Sequence, residues 1–186
     1  MAQIIAISGK ARSGKTTAAK FLCSKLSEKV AIESFATPLK LMVVEHFPDH
    51  VTHEDIIHHK DKILTFGDRQ MTLRQLMIKF GRMYREIDQD FWVKKTLAKI
   101  NHHEKWGCEY VIIDDMRYAS EYELLKRRGA CVMRVERPGV ELIDDESETA
   151  LDHHKFDMTL HNDEKLDAYF NNLEGVAYAV KTGTWR

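Results

Sequence analysis

The stretch GKARSGKT, residues 9–16, decides the fold that the sequence predicts. Its spacing, G-x-x-x-x-G-K-[ST], is typical of a P-loop, which binds phosphate groups through backbone amides. Residues 3–8 before it form an apolar run that suits a buried strand, and residues 16–26 after it are rich in helix formers. Strand, loop and helix in this order predict a nucleotide-phosphate site where the helix begins. A glycine-rich turn before an ordinary helix is the alternative.

The residue types in the loop match the chemistry of such a site. Glycines at positions 9 and 14 can adopt backbone angles closed to other residues, so that successive N–H groups face one concavity. Lys15 would reach the β- and γ-phosphates of ATP, and the Thr16 hydroxyl would bind Mg²⁺. The residues expected to bind the donor nucleotide here are Gly9, Ser13, Gly14, Lys15, Thr16 and Thr17.

The composition is ordinary for a globular protein, and 186 residues are enough for one domain with a substantial core. The net charge is −1, so we expect no broad affinity for nucleic acids or membranes. No apolar run reaches the ~20 residues that span a membrane, and the first residues lack the layout of a signal peptide. Three widely spaced cysteines predict reduced thiols in a cytoplasmic protein, and the ten histidines lack the spacing of a zinc site.

Charged side chains follow the aliphatic run of residues 110–113, which we expect to be a buried strand. An Asp-Asp pair comes directly after it, where the second acid on the Mg²⁺ side of a P-loop enzyme belongs. We assign this role to Asp115, together with Thr16, and capping of the next helix is the alternative. Arg117 at the same rim and Arg12 in the loop are the residues expected to stabilise the transferring phosphoryl oxygens.

Two helices are predicted between the second and third strands, one starting at Thr72 and one covering residues 91–100. They would form one wall of a cleft, where arginine side chains could hold a substrate phosphate through two parallel hydrogen bonds. The expected substrate-binding residues are Lys40, Arg74, Arg85 and Trp92. For the cations the alternative is an ordinary solvated side chain, and for the tryptophan it is core packing instead of stacking on a base.

Two weakly patterned stretches complete the functional expectations. Residues 48–70 are polar, and we expect a short helix over residues 54–64 within either a mobile flap over the substrate or a surface excursion. The acidic residues 139–155 are expected to form a lid that closes over the site, with a solvated loop as the alternative.

Further strands are predicted over residues 30–35, 131–135 and 156–160, and a last helix over residues 166–178. Aliphatic strands that alternate with helices predict a parallel sheet of five strands covered on both faces, which is a three-layer α/β/α P-loop fold. We expect a single domain, 1–186. Its parts are a core of residues 1–47 and 105–181, a helical acceptor-binding insert of about residues 48–104 and a lid of about residues 139–155.

Several segments resemble phage-type deoxynucleoside monophosphate kinases. They are GKARSGKTT (9–17), LRQLMIKFGRMYREIDQDFWVKK (73–95), VIIDDMR (111–117), RGACVMRVERPG (128–139) and FDMTLHND (156–163). The REIDQDFW run and the DMR turn followed by ERPG are the most specific, because many families share the P-loop. The resemblance spans most of the chain except residues 45–70 and the last few. It implies phosphoryl transfer from ATP to a small-molecule acceptor, a deoxynucleoside monophosphate, with Mg²⁺, and it leaves a homodimer open.

The resemblance has further implications for the site and for alternative functions. By fold analogy, Arg137 and Asn162, after the fourth and fifth strands, lie where the donor adenine rests. The chain departs from the phage pattern at Gly81-Arg82, so the base of the acceptor stays open. GRMYREID, DMR and DDESETALD (144–152) also resemble animal-type phosphomevalonate kinases, which makes another phosphorylated small molecule the alternative acceptor. A nucleotide-binding protein without catalysis and a motor ATPase are the remaining alternatives.

Overall fold

The structure, a computed structural model, describes residues 1–140, 145–163 and 165–185. Its strands and helices are β1 (Gln3–Ser8), α1 (Lys15–Leu26), β2 (Val30–Glu33), α2 (Ala36–His46), α3 (His53–His58), β3 (Ile63–Phe66), β4 (Arg69–Thr72), α4 (Leu73–Ile87), α5 (Phe91–Lys105), β5 (Tyr110–Met116), α6 (Ala119–Arg127), β6 (Cys131–Glu136), a 3₁₀ helix (Glu146–Glu148), β7 (Met158–His161) and α7 (Leu166–Thr182). They form two compact units, which we call the sheet unit (Met1–Ser34 and Leu97–Arg186) and the middle unit (Phe35–Thr96).

The sheet unit contains five parallel strands in the order β2-β5-β1-β6-β7. β1 lies at the centre, where Ile5 is level with Ile112 of β5 on one side and with Cys131 of β6 on the other. The predicted parallel sheet of five strands is therefore confirmed. Since parallel strands end at one edge, the topology brings the P-loop, the Asp-Asp pair and the residues after β6 and β7 to a common rim.

Helices lie on both faces of this sheet and make the three predicted layers. α1 and α7 pack on one face against Ile7, Ile112 and Met133, which are fully buried. Because strand side chains alternate, Ile113 points to the other face, where α6 contacts β6. The Asp-Asp pair lies near the end of β5, where the pairing with β1 shifts register: Ala6 is level with Ile113, but Ser8 is level with Met116.

The middle unit has a core of its own, in which Val43 of α2, Ile56 of α3, Leu64 of β3 and Phe80 of α4 pack together. Burying one such side chain contributes about 1.5–3 kcal/mol to the free energy of folding. This core therefore stabilises a unit that contains the polar residues 48–70. Within the described residues, no helix of either unit is both long and apolar enough to cross a membrane.

The helix expected over residues 54–64 is wrong in its second half. α3 ends at His58, and β3 pairs with β4 in an antiparallel hairpin that turns at Gly67, where φ is 58°. Leu64 is buried between two exposed neighbours, which is the alternation of a strand. A single apolar position in a polar run is a weak signal, and the sequence interpretation therefore missed this hairpin.

Asp55 fastens α3 to the hairpin. Its carboxylate accepts hydrogen bonds from the backbone N–H of Thr52 at 2.9 Å and from Lys62 Nζ at 2.7 Å, while the Thr52 hydroxyl accepts the Asp55 N–H. This reciprocal arrangement is a capping box at the start of α3. The bond from Lys62, followed by that from the Thr52 backbone, lowers the pKa of Asp55 to about 2.

Asp55→Asn is expected to lower the melting temperature at neutral pH, because the amide carries no charge to pair with Lys62. The folded-state pKa is depressed, so the stabilisation by Asp55 is present above the ordinary aspartate value of about 4 and is lost as the pH falls towards about 2. Thermal unfolding followed by circular dichroism should therefore show the wild type and the variant converging over this range. Asp49→Asn, at an exposed position of the same unit, is the control. A difference in melting temperature between the wild type and Asp55→Asn that does not change with pH would contradict the role given to the Asp55 carboxylate.

Candidate active site

The P-loop connects β1 to α1 through two glycines that no other residue could replace without strain. Gly9 has a φ of 145° and Gly14 a φ of 109°. A Cβ atom on Gly9 would lie 2.4 Å from the Val135 carbonyl oxygen, and one on Gly14 would lie 2.7 Å from Asn162 Nδ2. The loop is thus packed directly against the ends of β6 and β7, and both glycines are needed for the backbone to approach so closely.

Three side chains from the far end of the chain hold the carbonyl groups of the loop. Asn162 Nδ2 donates to the Ser13 oxygen at 2.8 Å, the Tyr169 hydroxyl donates to the Gly14 oxygen at 3.1 Å, and Arg137 Nη1 donates to the Arg12 oxygen at 3.4 Å. The Gly14 and Lys15 N–H groups of the same peptides face the opposite direction, whereas the Ser13 N–H donates to the Lys10 oxygen at 3.2 Å.

Tyr169 is a residue of this site that the sequence interpretation missed. In sequence it was only one of the apolar positions of the last helix, and its hydroxyl gave no separate signal. Burial raises the pKa of Tyr169 to about 12, so the phenol keeps the proton that it donates to Gly14. Arg137 and Asn162 were expected beside adenine, and the structure places both against the P-loop backbone.

Lys15 folds back over the P-loop. Only 8% of the residue is exposed, and Nζ donates to the carbonyl oxygens of Gly9 at 2.7 Å and Lys10 at 2.6 Å. Both acceptors are uncharged, so the ammonium group is hydrogen-bonded but keeps its full positive charge available to an anion in the loop.

The charges around Lys15 come from four other side chains. Burial and then the positive charge of Arg117 lower the pKa of Lys15 to about 8, while the carboxylates of Glu148, Asp115 and Asp114 act in the opposite direction. Two cations held near one another in a partly buried site need anions beside them, and in this structure the carboxylates supply them. A phosphate group bound in the loop would face both cations.

Two polar features of the loop and helix are available to a ligand. The Ser13 hydroxyl oxygen is buried and has no hydrogen-bond partner among the described residues. In α1, the first helical bond runs from the Ala18 N–H to the Gly14 oxygen at 2.9 Å, so the N–H groups of residues 15–17 precede the helical ladder. Buried donors without partners are costly, and a phosphate oxygen would satisfy them.

The carboxylate that lies beside Thr16 is Asp114. The Thr16 hydroxyl donates to Asp114 Oδ2 at 3.3 Å, whereas Asp115 Oδ2 accepts from the Ser34 hydroxyl at 2.6 Å. The sequence interpretation had paired Thr16 with Asp115. The pairing of β1 with β5 shifts register at this point, because Ala6 is level with Ile113 but Ser8 is level with Met116. Such an irregularity changes the direction of the side chains, so the regular period of a strand does not decide which of the two carboxylates lies beside Thr16.

One hydroxyl and one carboxylate are a suitable set of protein ligands for Mg²⁺. This ion prefers six oxygen ligands and usually takes most of them from phosphates and water, with only one or two carboxylates from the protein. Within the described ranges, no group of three or more His, Cys, Asp and Glu side chains is arranged to hold a metal by itself. Thr16 and Asp114 therefore fit a magnesium ion that arrives with a nucleotide.

The described part of the predicted lid reaches into the P-loop through Glu148, another residue that the sequence interpretation missed. One oxygen of its buried carboxylate accepts the Ala11 N–H at 2.7 Å, and the other is paired with Arg117 Nη1. The Arg117 backbone N–H is held by Glu121 at 2.7 Å. Residues 141–144 of the expected lid lie outside the described residues.

The substrate-binding candidates of the middle unit fall into separate places. Arg74 Nε is 3.3 Å from Asp61 Oδ1 at the start of α4. Arg85 lies eleven residues later on the same helix, which is a rise of about 16 Å along the helix axis between the two backbone positions. Arg85 lies beside Gly81, where α4 packs against Leu39 of α2, the residue before Lys40.

Trp92 is packed inside the middle unit. Only 3% of it is exposed, its indole N–H donates to the Gly81 oxygen at 3.1 Å, and its ring makes edge contacts with those of Tyr84 and Phe91. These contacts occupy both the polar and the aromatic parts of the side chain. Trp92 therefore has the packing role that was the alternative to stacking on a base.

Comparison with known proteins supplies the family. A sequence model described as deoxynucleotide monophosphate kinase matches residues 41–173, more than two thirds of the chain and entirely downstream of the P-loop. The chain belongs to this family. Membership in the deoxynucleotide monophosphate kinase family makes the protein a phosphotransferase that acts on nucleotides, and it confirms the resemblance on which the sequence interpretation relied.

Individual relatives agree with the family. This deoxynucleotide monophosphate kinase family member is 26% identical over 193 residues to a relative from Acanthamoeba polyphaga mimivirus whose name places it in the same family, with 91% of this chain and 93% of that protein covered. It is 29% identical over 110 residues to the deoxynucleotide monophosphate kinase of Enterobacteria phage T4, which covers 56% of this chain. The match spans only 45% of the phage protein.

Solved structures agree with the fold. The chain superimposes on a dephospho-CoA kinase from Campylobacter jejuni with a TM-score of 0.57, over 99% of this chain and 100% of that one. The sequence identity is 11%, so this likeness bears on the fold alone. It confirms that the family member has the three-layer α/β/α architecture of P-loop kinases.

Proposed function

We propose that the protein transfers a phosphoryl group from ATP to a deoxynucleoside 5′-monophosphate, in a reaction that requires Mg²⁺. The observation that carries the donor half is the P-loop, with Lys15 buried above it and the Ser13 hydroxyl left without a partner. The acceptor half follows from the family. With its three free cysteines, Cys23, Cys108 and Cys131, the enzyme is suited to a reducing compartment, and we place it in the cytoplasm.

The donor phosphates are proposed to lie along residues 9–17, with Lys15 facing the group that is transferred. Phosphoryl transfer needs little covalent chemistry from the protein, so catalysis consists of positioning and charge stabilisation. Arg117 and Arg12 are proposed to stabilise the equatorial oxygens of the transferring group. Mg²⁺, held by Thr16 and Asp114, would neutralise charge on the phosphates.

The acceptor phosphate is proposed to bind in the middle unit at Arg85 of α4, with Lys40 on α2, the helix that packs against α4. A guanidinium group can hold two oxygens of a phosphate through parallel hydrogen bonds, which fixes the acceptor more firmly than a lysine alone. Arg74 has a carboxylate partner at the far end of α4, and it is therefore not proposed as a second contact to the same phosphate.

The test is a screen of acceptors by ATP consumption, in which ADP release is coupled to an optical signal. We expect turnover with at least one of the four common deoxynucleoside monophosphates, and none with phosphomevalonate, because a nucleotide offers a base and a sugar for recognition as well as the phosphate. Turnover with phosphomevalonate alone would replace the proposed acceptor. ATP binding without turnover on any acceptor would favour the non-catalytic alternative.

The same screen identifies the acceptor phosphate contact. Arg85→Ala should raise KM for the accepted nucleotide by about 10- to 100-fold with a smaller change in KM for ATP, because a charge-assisted bidentate contact contributes about 1.5–3 kcal/mol. Arg74→Ala is the matched control on the same helix. If instead Arg74→Ala raises KM for the acceptor and Arg85→Ala does not, the acceptor phosphate lies at the other end of α4.

A further inference from the structure

Glu148 contacts two groups that the proposed function gives to the donor phosphates, the P-loop backbone and Arg117. Its carboxylate accepts the N–H of Ala11, the third residue of the P-loop, and pairs with Arg117, which we assign to the transferring phosphoryl group. The residue is 6% exposed, and its charge acts on Lys15. A carboxylate that uses both of its oxygens on these groups is bound as an anion ligand of the site.

The segment that carries Glu148 is short. One local hydrogen bond orders its start, and contacts with Arg134 anchor its end. Asp145 accepts the Ser147 N–H at 3.0 Å at the start of the 3₁₀ helix. Past its end, Leu151 is buried, and its carbonyl oxygen accepts a bond from Arg134 Nη1 at 3.1 Å, while Asp152 pairs with the same arginine. The anchor at Arg134 lies outside the P-loop, so the 3₁₀ helix can move while residues 151–152 remain in place.

A carboxylate and a phosphate cannot share this position. Two negative charges close together in a partly buried site repel each other, and the Ala11 N–H can point to only one acceptor at a time. A donor nucleotide that uses this amide and Arg117 must therefore displace Glu148.

We propose that Glu148 is an internal competitor of the donor phosphates, which occupies the P-loop until ATP or ADP displaces it and the 3₁₀ helix. This inference rests on the proposed function, because it assumes a nucleotide in the loop. It also gives the predicted lid a role opposite to simple closure: the segment blocks the empty site, and nucleotide binding opens it. Such a contact keeps buried cations paired with an anion in the absence of substrate.

The experiment compares Glu148→Gln with Glu146→Gln. Both changes remove one negative charge from the same 3₁₀ helix, but Glu146 is exposed and serves as the matched control. Binding of ADP and of a non-hydrolysable ATP analogue, each with Mg²⁺, is measured by calorimetry. If the blocked state holds about nine molecules in ten, its loss lowers the apparent Kd about tenfold. We expect this gain for Glu148→Gln and none for Glu146→Gln.

Hydrogen exchange on the wild type provides an independent readout. The N–H groups of Ser147, Glu148 and Thr149 are bonded within the segment, so saturating ATP analogue should increase their exchange. If Glu148→Gln fails to fold, hydrogen exchange on the wild type alone tests whether the nucleotide displaces the 3₁₀ helix. Unchanged or weaker nucleotide binding by Glu148→Gln, with exchange that is unchanged or slower, would overturn the inference and make Glu148 a positioning residue for Arg117. Absence of nucleotide binding by the wild type would overturn the proposed function as well.

Discussion

Lys15→Ala is expected to lower kcat by about 10³-fold while the protein stays folded, which is the range for loss of one preorganised charge-stabilising group. The ammonium group is buried, is bonded only to the neutral carbonyls of Gly9 and Lys10, and has no acidic side chain as a direct partner in the described structure. Its charge is therefore available to the phosphoryl group as negative charge develops on it.

The measurement is the initial rate at saturating ATP with the acceptor that the screen identifies. Lys20→Ala, an exposed position on α1, controls for the loss of a positive charge from the same helix. Circular dichroism checks the fold, because the change removes the donor to two partly buried carbonyl groups, at a cost of up to about 1–3 kcal/mol each if water does not replace it. A rate within tenfold of the wild type would exclude the proposed donor site.

Asp114→Asn is expected to raise the Mg²⁺ concentration for half-maximal activity by about 10- to 100-fold and to lower kcat at physiological Mg²⁺. The amide loses the negative charge that a small, strongly hydrated cation requires. Because excess metal can compensate for weakened binding, part of the lost rate should return as Mg²⁺ is raised.

Asp115→Asn is the matched control for this second experiment. The substitution is the same, one residue away, and the amide oxygen can still accept the Ser34 hydroxyl. A larger Mg²⁺ shift for Asp115→Asn than for Asp114→Asn would restore the pairing that the sequence alone predicted. Activities are measured across a magnesium titration with ATP held constant, so that changes in ATP binding are separated from changes in metal binding.

Much of the sheet unit could be predicted because its signals are local. An apolar strand, a glycine-bounded loop and a helix follow one another at residues 3–26, and the later aliphatic runs repeat the same alternation. The choice between Asp114 and Asp115 could not be made in this way. It depends on which face of β5 is covered by α1 and on the register shift between Ile113 and Met116, and neither is visible in the local sequence.

The contacts that could not be predicted join residues that are distant in sequence. Glu148 meets Ala11 across 137 residues, and Tyr169 meets Gly14 across 155. Nothing in the local pattern around either residue marks it for the P-loop, because burial and partner are set by the tertiary fold. The hairpin of β3 and β4 was missed for a different reason, since its one buried position, Leu64, is too little to reveal a strand period.

The strand order also determines how this protein can fold as it leaves the ribosome. In β1, Ile5 pairs with residues of β5 and β6 that are synthesised more than a hundred residues later. The middle unit, in contrast, is one contiguous segment. Closing a long loop costs entropy before any pairing compensates for it, so the contiguous segment can fold first. The middle unit can therefore fold before the sheet unit is complete, and the phosphate-binding P-loop is among the last features to form.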